Sequence, residues 1–292
     1  MFESRFRTNL IRTLAPCLIS AAAAIVLALS VNASAQGEQL SAPPALRGSK
    51  AEIGSRTARN GFLNESEIAA KFNGWAGDKD AQDWLASMGY KLGAIESVTA
   101  TKPHGEKADV VVRIKTKLGD RSEGISIKLV STPQGFNQID KRWLSGYQRM
   151  WRMPENVVHA LRLFVGEIKP GEKTRNAERM FLNELDAETQ KSVLSFFESN
   201  RDRILSDIFI GNGPFAAKWL MVALKSREKP KWTIRKIEDA IRFFGQGPVV
   251  ITRGGNLRIG RITMQRKGGD AGRDTAKMLQ FKIDPAELFD TK

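Results

Sequence analysis

The chain has 292 residues, of which 41% are hydrophobic and 27% charged, and this balance excludes a disordered or fibrous protein. Lysine and arginine number 46 against 32 acidic residues, and the net charge of +14 favours a polyanionic partner such as nucleic acid, or else an acidic membrane surface. One cysteine, Cys17, and two histidines are too few for a disulfide or for a zinc site built from these residues. A catalytic metal would therefore be held by oxygen atoms.

Residues 1–35 have the pattern of a secretory signal peptide. Three arginines precede an apolar run over residues 18–31, and Ala33, Ser34 and Ala35 supply the small residues of a cleavage site. The alternative is an overlong gene model whose true start lies downstream. Removing this segment takes away the three arginines and one acid, so the basic character belongs to the rest of the chain.

Residues 36–60 are rich in Ser, Ala, Pro and Gly, which is typical of a linker, and we expect the folded domain to comprise residues 61–292. Asn64, with Glu67 three residues later, predicts the start of a helix over residues 64–73.

The elements that follow alternate between helical and β-branched patterns. Helices are predicted over 79–88, 138–151 and 176–209, and strands over 95–100, 108–114, 124–130 and from 249 onwards. The aromatic residues of the helix over 138–151, Trp143, Tyr147 and Trp151, are spaced as a core stripe. This order favours an α/β fold in a single domain, with a mixed sheet flanked by helices.

Two short segments could carry chemistry: residues 107–109 (Lys-Ala-Asp) and residues 126–128 (Ser-Ile-Lys). On adjacent strands, Asp109 would lie near Ser126 and Lys128, which share one strand face. A carboxylate there could hold a divalent cation that polarises a phosphodiester, and a lysine could orient or deprotonate the attacking water. From the spacing alone, an ordinary edge strand with Asp109 and Lys128 facing solvent is the simpler interpretation.

Residues 253–282 form a basic tail with eight lysines and arginines against two aspartates. Paired glycines in this tail suit close approach to phosphates, and Gln and Arg side chains can read base edges in the major groove. A solvated strand edge rich in lysine is the alternative. The concentration of charge in one segment favours nucleic acid.

Several strings of the sequence match one family over roughly residues 54–290. The strings are 61–65 (GFLNE), 81–85 (AQDWL), 128–130 (KLV), 135–141 (GFNQIDK), 265–270 (QRKGGD) and 279–285 (LQFKIDP). On these strings the chain resembles the HinP/MspI-like type II restriction endonucleases, and most of all the HinP-type group. The resemblance implies a restriction-endonuclease-like fold with a PD-(D/E)xK core that uses Mg²⁺ to hydrolyse double-stranded DNA at a short palindrome, expected to be GCGC. It also implies a companion DNA methyltransferase, without direct contact.

The resemblance assigns roles to individual residues. Asp109 matches the metal-binding aspartate, Lys128 the lysine of the xK element, and Glu65 an acidic residue of the first helix. The resemblance implies that Phe136, Asn137 and Gln138 meet the DNA near the scissile region, and that Gln265, Arg266 and Lys267 face the base edges. The charge of the basic tail adds Arg273 and Lys277 to the expected DNA-binding residues.

Two features depart from the family pattern. Ser126 stands where the group has an amide and the wider superfamily has an acid, so the metal would rest on Asp109, the backbone carbonyl of Ile127 and water, with help from Glu65. The signal-like leader disagrees with an enzyme that works inside the cell, and we expect a cytoplasmic protein that starts downstream of residue 35. The alternatives are an exported, less specific nuclease and a catalytically inactive DNA-binding protein.

Overall fold

The computed structural model describes residues 50–131, 135–225, 229–269 and 272–290. Within these ranges the helices are α1 (Lys50–Asn73), α2 (Lys79–Ser87), α3 (Leu144–Trp151), α4 (Glu155–Val165), α5 (Ala187–Ser199), α6 (Arg201–Phe209) and α7 (Ile237–Gly245). The strands are β1 (Ile95–Thr101), β2 (Val110–Thr116), β3 (Gly119–Val130), β4 (Asn137–Arg142), β5 (Trp219–Leu224), β6 (Lys231–Lys236), β7 (Val249–Ile251), β8 (Leu257–Ile259), β9 (Ile262–Arg266) and β10 (Leu279–Ile283). None of the described helices is long and apolar enough to cross a membrane.

The strands form two five-stranded sheets. The first has the order β1-β2-β3-β5-β6 and is mixed, because β3 and β5 run parallel while the other neighbours are antiparallel. The second has the order β4-β10-β9-β8-β7 and is antiparallel throughout. The expected single α/β domain with a mixed sheet and flanking helices is confirmed, and an antiparallel sheet accompanies the mixed one.

Two hydrophobic clusters hold these layers together. One lies between the first sheet and helices α1 and α2, where Phe72 and Trp84 pack with their ring centroids 5.2 Å apart. The larger cluster joins the remaining helices to the second sheet through Tyr147, Trp151 and Phe281. Tyr147 and Trp151 stack at 4.6 Å and are fully buried, as the core interpretation predicts.

The predicted start of the first helix is wrong. Helix α1 begins at Lys50, so residues 50–60 of the expected linker are helical, and residues 1–49 lie outside the described residues. Asn64 is not a cap: it shares a buried face with Ile68 and Phe72, and neither polar atom of its side chain has a hydrogen-bond partner in the described structure.

Two later helices are also shorter than predicted. Residues 138–142 belong to β4 because they pair with β10, and Trp143, which precedes α3, is 40% exposed. The helix predicted over 176–209 begins only at Ala187, where the Asp186 carboxylate accepts a hydrogen bond from the Thr189 N–H, and it divides at Asn200. Helix α4, strands β5 and β6 and helix α7 were not predicted.

Candidate active site

Asp109 lies just before β2, in a segment held on both sides by backbone hydrogen bonds. The N–H of Ala108 donates to the carbonyl of Phe215 at 3.0 Å, and the N–H of Asp109 donates to the carbonyl of Ile125 at 2.9 Å. The second of these bonds extends the pairing of β2 with β3 by one residue. The polypeptide therefore presents the Asp109 side chain from a fixed position beside β3.

The Asp109 carboxylate contacts residues 126 and 127, in the segment that the sequence analysis places beside it. Its Oδ2 atom accepts a hydrogen bond from the Ile127 N–H at 2.6 Å and another from the Ser126 hydroxyl at 3.3 Å. Ser126 and Lys128 alternate along β3 with Ile125 and Ile127, whose side chains are buried under α1 and α2. The two segments, seventeen or more residues apart in the chain, thus form one cluster.

Glu65 reaches the same cluster from α1. Its Oε2 atom lies 3.2 Å from the Lys102 Nζ atom, and Lys102 also donates to the carbonyl of Phe62 and to the Ser66 hydroxyl. Burial raises the pKa of Glu65 and the negative charge of Asp109 raises it further, whereas the hydrogen bond and charge of Lys102 and the charge of Lys128 act in the opposite direction. The carboxylates of Glu65 and Asp109 therefore repel each other, and the positive charges of Lys102 and Lys128 partly offset this repulsion.

The oxygen atoms of this cluster suit a hard divalent cation. The donors are the carboxylates of Asp109 and Glu65 and the hydroxyl of Ser126, and a divalent cation would relieve the repulsion between the two acids. Within the described residues no group of three His, Cys, Asp or Glu side chains forms a metal cage. Two carboxylates and one hydroxyl would leave several coordination positions to water or phosphate, which is the kind of ligation that a hard divalent cation accepts.

The second sheet gathers most of the predicted DNA-binding residues. Phe136 precedes β4 and is 65% exposed, and Gln138 on β4 lies opposite Lys282 on β10. On the other side of β10, Gln265 of β9 lies opposite Gln280. Because one strand separates β4 from β9, the two segments that the resemblance assigns to DNA share one sheet.

Within the basic tail, the chain that connects β9 to β10 begins with a tight turn. Gly268 and Gly269 have φ angles of 64° and 63°, which favour glycine, and a Cβ atom at either position would meet no heavy atom within 4 Å. Lys277 forms an ion pair with Asp274 at 3.2 Å, and Arg273 directly precedes the short 3₁₀ helix Asp274–Lys277. Asp270, part of the matching string, lies outside the described residues. The turn is open enough for a phosphate backbone to approach.

A buried network around Asp140 was missed from the sequence. Asp140 accepts hydrogen bonds from the Tyr147 hydroxyl at 2.6 Å and from Arg142 Nε at 3.0 Å, and Lys107 lies within ion-pair distance. Burial acts to raise the pKa of Asp140, but these hydrogen bonds and the charge of Lys107 outweigh it and lower the pKa. Burial lowers the pKa of Lys107 to about 8, and the charge of Lys128 adds to this effect while Asp140 opposes it.

Close packing explains why Lys107 can reach this network. A Cβ atom on Gly211 would lie 2.7 Å from Lys107 Cβ, so only glycine leaves room for the lysine stem to pass. Gly211 therefore has a packing role beside Lys107.

A cavity of about 660 Å³ lies elsewhere, between α6 and α7. Arg201, Arg235 and Phe243 are among its lining residues, and none of the predicted site residues is.

Comparison with known proteins gives a family match and a structural match. The family model described as R.HinP1I restriction endonuclease matches residues 88–289. A solved structure of restriction endonuclease MspI in complex with its cognate DNA superposes with a TM-score of 0.55 at 16% sequence identity, covering 80% of this chain and 93% of that one. No curated protein matched the sequence. The matched region includes Asp109, residues 126–128 and the whole second sheet.

Proposed function

The chain belongs to the R.HinP1I restriction endonuclease family and is a type II restriction endonuclease, and from this premise we propose that it uses Mg²⁺ to cleave double-stranded DNA at GCGC. The observation that carries the proposal is the contact of the Asp109 carboxylate with the Ser126 hydroxyl and the Ile127 N–H, beside Lys128 and Glu65. This arrangement would offer a cation site beside a lysine, a combination that suits metal-assisted phosphodiester hydrolysis.

Each residue of the cluster has one task in this proposal. Asp109 and Glu65 would hold the cation, together with the backbone carbonyl of Ile127. When bound, the cation supplies Lewis-acid stabilisation of the negative charge that develops on the phosphate. Lys128 would orient the attacking water beside the phosphate. Ser126 keeps the Asp109 carboxylate in place by its hydrogen bond.

The second sheet supplies DNA recognition in the same proposal. Phe136, Asn137 and Gln138 meet the DNA near the scissile bond, while Gln265, Arg266 and Lys267 approach the base edges. Arg and Gln side chains can read guanine and adenine in the major groove, and Arg266 would suit a guanine of GCGC. The MspI structure, which contains its cognate DNA, supports binding of DNA on this fold.

The direct test is incubation of plasmid DNA with the purified protein and Mg²⁺. We expect a discrete set of fragments whose ends map to GCGC, and we expect chelation of the metal to stop the reaction. Asp109→Asn should reduce cleavage by at least about 100-fold while DNA binding persists, since the charge that holds the cation is lost. Cleavage without discrete fragments would favour the less specific nuclease, and binding without cleavage would favour the inactive DNA-binding protein.

We also propose a cytoplasmic location and a companion methyltransferase that protects the same site. Both proposals follow from the family, because an enzyme of this kind meets incoming DNA inside the cell. The amino-terminal residue of the protein from its natural host tests the location. A chain that starts at Gln36 in the periplasm or the medium would contradict it, because that is the product expected from cleavage after Ala35.

A further inference from the structure

Arg179 is a largely buried arginine that lies on aromatic rings and forms no ion pair with any described carboxylate. It is 9% exposed, its guanidinium carbon lies 4.0 Å from the ring centroid of Phe181 and 5.2 Å from that of Phe164, and no described carboxylate lies within 4.0 Å of it. Asp140, another buried charged residue, is by contrast surrounded by partners. An unpaired buried charge is costly, so a residue of this kind needs an explanation beyond folding.

The backbone holds Arg179 in place between α4 and α5. The N–H of Arg179 donates to the carbonyl of Asn176, and the N–H of Met180 donates to the carbonyl of Leu163 in α4. Gly166 ends α4 at a φ of 81°, and a Cβ atom there would lie 2.8 Å from the carbonyl of Glu178. The aromatic rings and this backbone fix the guanidinium before any ligand arrives.

A second arginine adds positive charge to the surroundings of Arg179. Arg266, at the end of β9, has a buried Nε atom with no hydrogen-bond partner among the described residues. Burial lowers the pKa of Arg179 to about 10, and the positive charge of Arg266 lowers it further while Glu184 opposes the shift. Two neighbouring cations that repel each other are stabilised when an anion binds between or beside them.

Arg175 provides an internal comparison. Its guanidinium carbon also lies against Phe181, at 4.3 Å from the ring centroid, but its Nε atom forms an ion pair with Glu184 at 3.1 Å and it bonds Asn183 as well. The same ring therefore carries one arginine that is paired within the protein and one that is not. Arg175 therefore serves as the matched control for Arg179.

We propose that Arg179, beside Arg266, binds a phosphodiester group of the DNA substrate. The inference rests on the proposed DNA-cleaving function and adds a contact that neither the family match nor the sequence assigns. A planar guanidinium fixed on aromatic rings matches the paired oxygens of a phosphate, and DNA brings the negative charge that this site lacks. Because the charge of Arg266 acts on Arg179 and Arg266 belongs to the segment proposed to approach the base edges, this phosphate would belong to the DNA segment read there.

The test compares Arg179→Met, Arg179→Lys and the control Arg175→Met with the unchanged protein. Binding to two short duplexes, one with GCGC and one without, is measured without added metal over a series of salt concentrations. Arg179→Met should weaken binding to both duplexes by the same factor and reduce the slope of log affinity against log salt by about one. Arg179→Lys should keep the slope but bind less tightly, because an ammonium cannot make the paired contact. Arg175→Met should bind as the unchanged protein does.

Thermal unfolding of the same variants separates a binding role from a structural one. Arg179→Met removes an unpaired buried charge and lets a thioether pack on the rings, so its melting temperature should equal or exceed that of the unchanged protein. Unchanged affinity and salt slope in Arg179→Met would overturn the inference. A loss of affinity confined to the GCGC duplex would also overturn it. So would a loss of affinity that comes with a lower melting temperature and that Arg175→Met shows equally. If the unchanged protein binds neither duplex, the proposed function itself fails.

Discussion

The Nζ atom of Lys107 lies 3.3 Å from the Oδ2 atom of Asp140, and this buried ion pair joins the two sheets. Lys107 precedes Asp109 by two residues, and it also donates a hydrogen bond to the carbonyl of Ile139 at 2.6 Å. Asp140 lies on β4, which begins one residue after Phe136. The pair therefore fixes the distance between the candidate metal-binding residue and the strand proposed to meet the DNA.

Asp140→Asn should destabilise the protein strongly, because it removes the carboxylate that Lys107, Arg142 and Tyr147 share. Breaking a buried pair in this way costs about 3–5 kcal/mol, whereas loss of an exposed pair costs about 1 kcal/mol or less. Urea unfolding measures the difference. Asp83→Asn is the matched control, since Asp83 pairs with Lys79 on the exposed surface of α2. Equal losses of unfolding free energy in both variants would show that the buried Lys107–Asp140 pair stabilises the protein no more than an exposed ion pair does.

The acid dependence of stability gives a second measurement on Asp140. The pKa of Asp140 in the folded protein is below its ordinary value of 3.8, so its contribution is fully present above that value and is lost as the pH falls through the folded-state pKa. Protonation of Asp140 should therefore make the difference in unfolding free energy between the unchanged protein and Asp140→Asn shrink as the pH falls below about 4. A difference that grows in acid would contradict this assignment.

The local part of the candidate site could be predicted from the sequence. Asp109 lies just before β2, and Ser126 and Lys128 lie on β3, which pairs with it. Such pairing of strands that are neighbours in the chain follows from β-branched runs and a turn between them. The ion pair of Lys107 with Asp140 could not be predicted, because it depends on how the second sheet lies beside the first.

Residues 138–142 show why the remaining elements were harder to predict. Ile139, Trp143 and Tyr147 recur at a helical spacing, yet residues 137–142 form a strand because β10, more than a hundred residues later, pairs with them. A short apolar pattern does not decide between helix and strand when the partner strand is distant in sequence. The burial of Arg179 could not be predicted for a related reason. Its segment was expected to be part of a helix over residues 176–209, which begins only at Ala187.

Ser126→Ala tests the departure from the family pattern. The Ile127 N–H still holds Asp109 at 2.6 Å in this variant, and the lost hydroxyl contact is long at 3.3 Å. We expect cleavage at saturating Mg²⁺ to fall by no more than about tenfold, the equivalent of about 1.5 kcal/mol for a hydrogen bond to a charged group. Ser126→Gln should lower the Mg²⁺ concentration needed for half-maximal cleavage, because the longer amide restores an oxygen near the cation. A loss in Ser126→Ala as large as in Asp109→Asn would mean that the hydroxyl itself takes part in the reaction.

Glu65→Gln tests whether the second carboxylate takes part in cation binding. Mg²⁺ should raise the melting temperature of the unchanged protein, because an ion that binds only the folded state stabilises it, and the increase should be smaller in Glu65→Gln. Glu67→Gln is the control, since Glu67 lies on the same helix but pairs with Lys225. An equal Mg²⁺-dependent increase in all three proteins would remove Glu65 from the metal site.

Arg266→Ala and Lys277→Ala test the division of labour in the basic tail. Arg266 lies on β9 beside Gln265, whereas Lys277 lies beyond the open glycine turn and is 37% exposed at its side chain. If Arg266 reads guanine, its loss should cost about 1–3 kcal/mol at the GCGC duplex and little elsewhere, because a mismatched duplex never offered that contact. If Lys277 meets a phosphate, its loss should weaken binding to every duplex alike and reduce the salt slope by about one. Titration of both duplexes over a salt series distinguishes the two patterns, and identical profiles for the two variants would show that base reading and phosphate binding are not divided between these residues.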